Sequence, residues 1–150
     1  MSVQPLVNET LFPFLTSEWK AGGGSEGHAQ AALQATRGGA CVVNYNHTFL
    51  ESAGMVPSNL ETMHFSLTCD MRTVIINVNW RDYVDSEVVH YSKKISSHRL
   101  DDEKDMLEFR GHLRNILDWA VGERLDMFHR AIKMLAKKNG REPSGKRKRE

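Results

Sequence analysis

The chain has only two cysteines, Cys41 and Cys69, in 150 residues. That density excludes a disulfide framework, and no C-x-x-C is present to begin a zinc or redox motif. Both are read as buried free thiols in a reduced compartment. Long apolar runs are lacking too: no window holds 18 apolar residues, so no membrane-crossing helix and no membrane partner are expected. Met1 to Glu9 lacks a basic segment followed by an apolar one, so no secretory signal is expected there. Excess charge is also missing from the body. Residues 137–150 carry seven of the 20 Lys and Arg and two of the 19 Asp and Glu, leaving thirteen basic against seventeen acidic residues elsewhere. A body with that balance does not wrap nucleic acid by charge alone, so any electropositive groove is local. One acidic type is absent from almost half the chain: there is no Asp before Asp70, and Glu9 is the only acidic residue upstream of Glu18.

What is present is an ordinary globular composition, 40% hydrophobic and 26% charged, enough for one domain with a real core. The chain divides into an irregular N-terminus, 1–11, a domain, 12–138, and a basic, disordered tail, 139–150.

The stretch Phe12-Pro-Phe-Leu-Thr-Ser-Glu-Trp-Lys20 organises the rest. Pro13 suits the start or edge of a strand. In an extended segment Glu18 and Lys20 share one face and Trp19 turns to the other. Such a pair reads either as a surface ion pair or as working chemistry. In the second case the carboxylate holds a hard divalent cation and the ammonium steadies an oxyanion or positions a water. Gly22-Gly23-Gly24 then lets the chain turn away.

A helix is expected over 25–53, with Ser25 as N-cap and Glu26 at its positive end. Its apolar positions are read as Ala29, Ala32, Leu33, Thr36, Ala40, Val43 and Phe49 or Leu50, and the small residues around Gly38-Gly39 permit close approach to a sheet. Gln30 lies on its first turn, either as an exposed helix former or as a group orienting a site. Residues 61–69 and 72–80 alternate as two strands joined by a tight link at Asp70-Met71, and a third runs near 87–95. Asn77 and Asn79 fall on the less apolar face, where solvent or a site would suit them. Residues 101–138 have strong helical spacing, with Met106, Phe109, Leu113, Ile116, Leu117, Ala120, Leu125, Phe128, Ile132 and Leu135 as the expected apolar stripe and a break expected near Val121-Gly122. Asn115, Asp118 and Arg124 lie off the apolar stripe and are read as solvated. The seven histidines form no short metal cluster.

The order of apolar strand, E-x-K, glycine turn and small-residue helix resembles the core of the PD-(D/E)XK, or restriction-endonuclease-like, nuclease superfamily. More closely, the chain resembles a fungal domain of unknown function placed near it. The pieces are Phe14-Leu-Thr-Ser-Glu-Trp-Lys20, Gln30-Ala-Ala-Leu, Gly39-Ala-Cys-Val-Val-Asn44, a strand ending in Asn79-Trp80, and Asn115-Ile-Leu-Asp-Trp119 with Arg124-Leu125. The resemblance implies an α+β fold: a mixed sheet flanked by helices, a partial nuclease-like core, and a long C-terminal helix or helix pair. It implies Glu18 as ligand for Mg or Mn, Lys20 as the water-positioning group and Gln30 as the orienting one. In the superfamily a helix and two strands, one bearing an Asp ligand, precede the E-x-K strand. Only eleven residues precede Phe12 here, so the implied core is truncated at its N-terminus and catalytically incomplete.

Lys146-Arg147-Lys148-Arg149 reads as a nuclear-localisation signal or a nucleic-acid contact. Three functions are therefore expected in turn. The first is a nuclear protein whose incomplete nuclease-like domain binds DNA or RNA, with an import receptor on the basic run. The second is a Mg- or Mn-dependent nuclease. The third is a protein-interaction module that self-associates through an open sheet edge.

Overall fold

The computed structural model describes residues 11–20 and 28–140. Glu9, the Gly22–Gly24 turn, the Ser25 cap and Lys146–Arg149 lie outside the described residues. Strand β1 is Leu15–Trp19, and helix α1 is His28–Ser52. A short helix α2, Asn59–Thr62, leads into β2, His64–Cys69. Strands β3, Thr73–Val84, and β4, Glu87–Arg99, follow. Helix α3, Glu103–Trp119, passes through a wide π turn, Ala120–Arg124, into α4, Leu125–Lys138. The fold is the expected α+β arrangement.

The sheet order is β1-β2-β3-β4. β1 runs parallel to β2, which requires a crossover, and α1 supplies it. β2, β3 and β4 form an antiparallel meander. The link after β2 is tied by Asp70, whose Oδ1 accepts from Arg72 N at 2.8 Å and Thr73 N at 2.6 Å. The β3–β4 turn uses Asp85 and Ser86 at φ 50° and 72°. Positive φ at both central positions matches the right-handed twist of a two-residue hairpin, and Asp tolerates it better than most residues. β3 and β4 run beyond the expected 80 and 95, because the hairpin pairs with itself to its tip.

Strand alternation sorts the two faces. Phe65, Leu67, Cys69, Val74 and Ile76 pack with Ile116 of α3 in an apolar core. The opposite face, under α1, is polar: His64, Ser66, Thr68 and Asn79 are all at most 2% exposed. Phe12, Phe49, Leu50, Met127, Phe128 and Ala131 make a second apolar cluster joining the start of the domain to α1 and α4.

Several expectations are corrected. The buried face of α1 is Ala31, Ala35, Val42, Val43, Asn46 and Leu50, whereas Leu33 is 55% exposed. The helix lies close to a polar sheet face, which selects small and polar side chains over the largest apolar ones. In α4 the stripe passes through Met127 and Ala131, leaving Leu125 and Ile132 exposed. Arg124, read as solvated, is buried, and so is Asn79. Cys41 is exposed, whereas Cys69 is buried as expected.

Candidate functional site

Glu18 is the fourth residue of β1, opposite Thr68 of β2, and Thr16 lies opposite Ser66. Register therefore puts Glu18 on the polar, α1-covered face, at the carboxyl end of the parallel pair. Trp19 falls on the other face and is 67% exposed, as alternation requires. Lys20 follows the strand and donates its backbone N–H to Cys69 O at 2.9 Å. Glu18 and Lys20 are both half-buried. Gln30 is exposed on the first turn of α1. Asp70 follows Cys69 directly, so a second carboxylate comes to this end of the sheet from β2. Its Oδ1 is committed to the turn.

Behind Glu18 runs a buried polar layer. Asn79 Nδ2 donates to Ser66 Oγ at 3.1 Å and His64 O at 3.2 Å, and lies 3.4 Å from His64 Nδ1. Gly39 of α1 sits on this amide: a Cβ there would stand 2.5 Å from Asn79 Cγ. Arg81 donates to Asn44 Oδ1 at 2.7 Å and Tyr83 Oη at 3.1 Å, and lies 2.7 Å from His47 Nδ1. His64 Nε2 and Asn79 Oδ1 are buried without a hydrogen-bond partner. Burial, reinforced by the charge of Arg124, pushes the His64 pKa down to about 4. Its ring is thus neutral near neutral pH. Burial and then Arg81 lower the His47 pKa, against the opposing pull of Glu51. The periodicity of β2 and β3 already marks these polar positions as one face. Their burial follows only from α1 lying over them.

Arg124 anchors the other end. Its Nη2 donates to Phe12 O at 2.9 Å and Pro13 O at 3.2 Å. Its guanidinium lies 4.6 Å from the Phe128 ring centroid, with Trp119 and Phe14 within 5.9 Å. Desolvation lowers its pKa to about 10. The signal for this role is its place in the π turn, a feature invisible to helical periodicity. Asn115 and Asp118 are exposed, as expected.

A cavity of about 770 Å³ opens between α2, the π turn and α4, lined by Ser58, Glu61, Trp119, Arg124, Arg130 and Lys133 among others. Glu18, Lys20 and Gln30 do not line it, and its charges are of both signs. Among the described residues no group of three His, Cys, Asp or Glu ligands gathers around Glu18. No helix among the described residues is long and apolar enough to cross a membrane.

A family model for a domain of unknown function, DUF7924, matches residues 2–132. No curated protein and no solved structure matches the chain.

Proposed function

The chain belongs to the DUF7924 family, and from that premise we propose that it is a nucleic-acid-binding domain on a restriction-endonuclease-like scaffold, catalytically incomplete and nuclear. One observation carries the reading: Glu18 sits at the carboxyl end of a strand parallel to its neighbour, with α1 as the crossover between them. The crevice outside the carboxyl ends of parallel strands is where open α/β sheets hold ligands. The strand, helix and parallel strand follow in the order that the E-x-K resemblance implies.

The incomplete half of the reading rests on ligand number. A catalytic divalent ion needs several oxygen donors besides water. Glu18 supplies one, and the nearby Asp70 spends an oxygen on the β2–β3 turn. Binding would draw on Lys20 and on the basic run Lys146–Arg149, which would also serve an import receptor.

The test uses fluorescent single- and double-stranded DNA and RNA, with anisotropy read at low and moderate salt. Cleavage is followed in Mg²⁺, Mn²⁺ and EDTA. The expected result is salt-sensitive binding, weakened in Lys20→Ala, with no cleavage. Metal-dependent cleavage lost in Lys20→Ala would replace this reading with an active nuclease using Glu18 and Lys20. Folded protein that binds none of the four probes even at low salt would refute it.

A further inference from the structure

Away from β1, at the opposite edge of the sheet, three ligand-type side chains converge. A ring nitrogen of His98 and one carboxylate oxygen each of Asp105 and Glu108 all lie within 4.8 Å of one another. His98 is the penultimate residue of β4, and the two carboxylates stand on the first turns of α3. We propose that His98, Asp105 and Glu108 bind a divalent transition-metal ion of the zinc class, tying the end of β4 to the start of α3.

Four observations support the site. His98 is only 4% exposed, and its Nε2 is buried without a hydrogen-bond partner. A buried acceptor left unpaired is costly, and a ligated ion would take up the lone pair of such a ring nitrogen. Asp105, Glu108 and His112 lie at i, i+3 and i+7, on one face of α3. His112 brings its ring centroid to 5.4 Å from that of His98, adding a second imidazole beside the three. Asp105 is also oriented by the backbone, since its Oδ2 accepts from Arg99 N at 2.8 Å. Such outer hydrogen bonds hold a carboxylate ready for an ion. Glu108 is exposed and its ion-pair contact with Lys104 is 4.0 Å long, so it can swing inward. Ligand bonds of about 2.0–2.2 Å put donors a little over 3 Å apart, and this swing supplies the contraction. Mixed imidazole and carboxylate donors suit Zn²⁺ and Co²⁺ better than Mg²⁺ or Ca²⁺.

The test titrates metal-stripped full-length protein with Co²⁺, followed by visible absorption, and then displaces it with Zn²⁺. Thermal melting is measured in parallel. One equivalent should bind, and Zn²⁺ should raise the melting temperature. Glu108→Gln, at an exposed position, should fold normally and weaken binding by about tenfold or more. His90→Ala, a distant exposed histidine, should leave affinity unchanged. His98→Asn should abolish binding in protein whose circular dichroism matches the parent. No saturable uptake of Co²⁺ or Zn²⁺ by the folded chain, or an affinity unmoved by Glu108→Gln, would overturn the site.

Discussion

Arg124 Nη2 donates to the backbone oxygen of Phe12 at 2.9 Å across a separation of 112 residues. Phe12 is held at φ 55°, a region that a phenylalanine seldom occupies. Its ring stacks on Phe128 at 4.3 Å and meets Phe49 at 4.4 Å. The guanidinium and the aromatic cluster together fix an unfavourable backbone at the entry to β1.

Replacing Arg124 should therefore act through folding. Arg124→Ala removes one bond to a buried carbonyl, one to a part-buried carbonyl and the contact with three rings, and should cost about 3 kcal/mol. Arg124→Lys should recover less than half of this, because an ammonium lacks the planar fork and stacks poorly. Urea unfolding measures both. A lysine variant as stable as the parent would show that charge alone matters.

The two neighbouring glycines of α1 should respond in opposite directions. At Gly38 a Cβ meets nothing within 4 Å, so Gly38→Ala should stabilise by about 1 kcal/mol through helix propensity. At Gly39 the same methyl would stand 2.5 Å from Asn79 Cγ. Asn79 is enclosed and cannot give way, so Gly39→Ala should destabilise by about 1–3 kcal/mol despite the same propensity gain. Melting temperatures of the two variants give the comparison directly.

Stability should fall on mild acidification. His64 has a pKa of about 4 when folded against the ordinary 6.5. Between those values the unfolded chain takes up a proton that the native chain refuses. The stabilisation is complete above pH 6.5, is lost as pH falls towards 4, and amounts to about 3 kcal/mol. His47 works in the same direction. Unfolding free energy measured from pH 7.5 to 4 should show this slope, reduced in His64→Gln. An unchanged slope in that variant would assign the effect to other groups.

The two thiols should separate cleanly under a thiol reagent. Cys41 is exposed and Cys69 buried. Burial and then Asp70 push the Cys69 thiol pKa up, keeping it protonated. Only thiolate reacts. Native protein should thus show one fast equivalent, lost in Cys41→Ser, and a second only in denaturant.

Much of this architecture is legible in the residues. Alternation in His64–Cys69 and Thr73–Trp80 gives the meander, and the Asp70 link gives its turn. Glu18 and Trp19 take the opposite faces that a strand demands. Periodicity fails where a helix buries something other than its largest apolar residues. Leu33 looks like core and is exposed, whereas Ala31, Ala35 and Gly39 are buried because the sheet beneath them is polar. Arg124 looks solvated because a charge on a helix usually is. The cage of Phe14, Trp119 and Phe128 around it depends on contacts between the two ends of the domain. His98 and Asp105 are seven residues apart, and only the β4–α3 turn folds them together.

The parallel pairing of β1 has a kinetic consequence. β2, β3 and β4 close through turns of a few residues, whereas Leu15 reaches Phe65 only across the whole of α1. Contacts of such separation pay a larger chain-closure entropy and form late. β1 is bonded along one edge, to β2, among the described strands. It should be the last strand to join the sheet and an early one to exchange its amides with solvent, which would put Glu18 and Lys20 on a segment that the sheet releases readily.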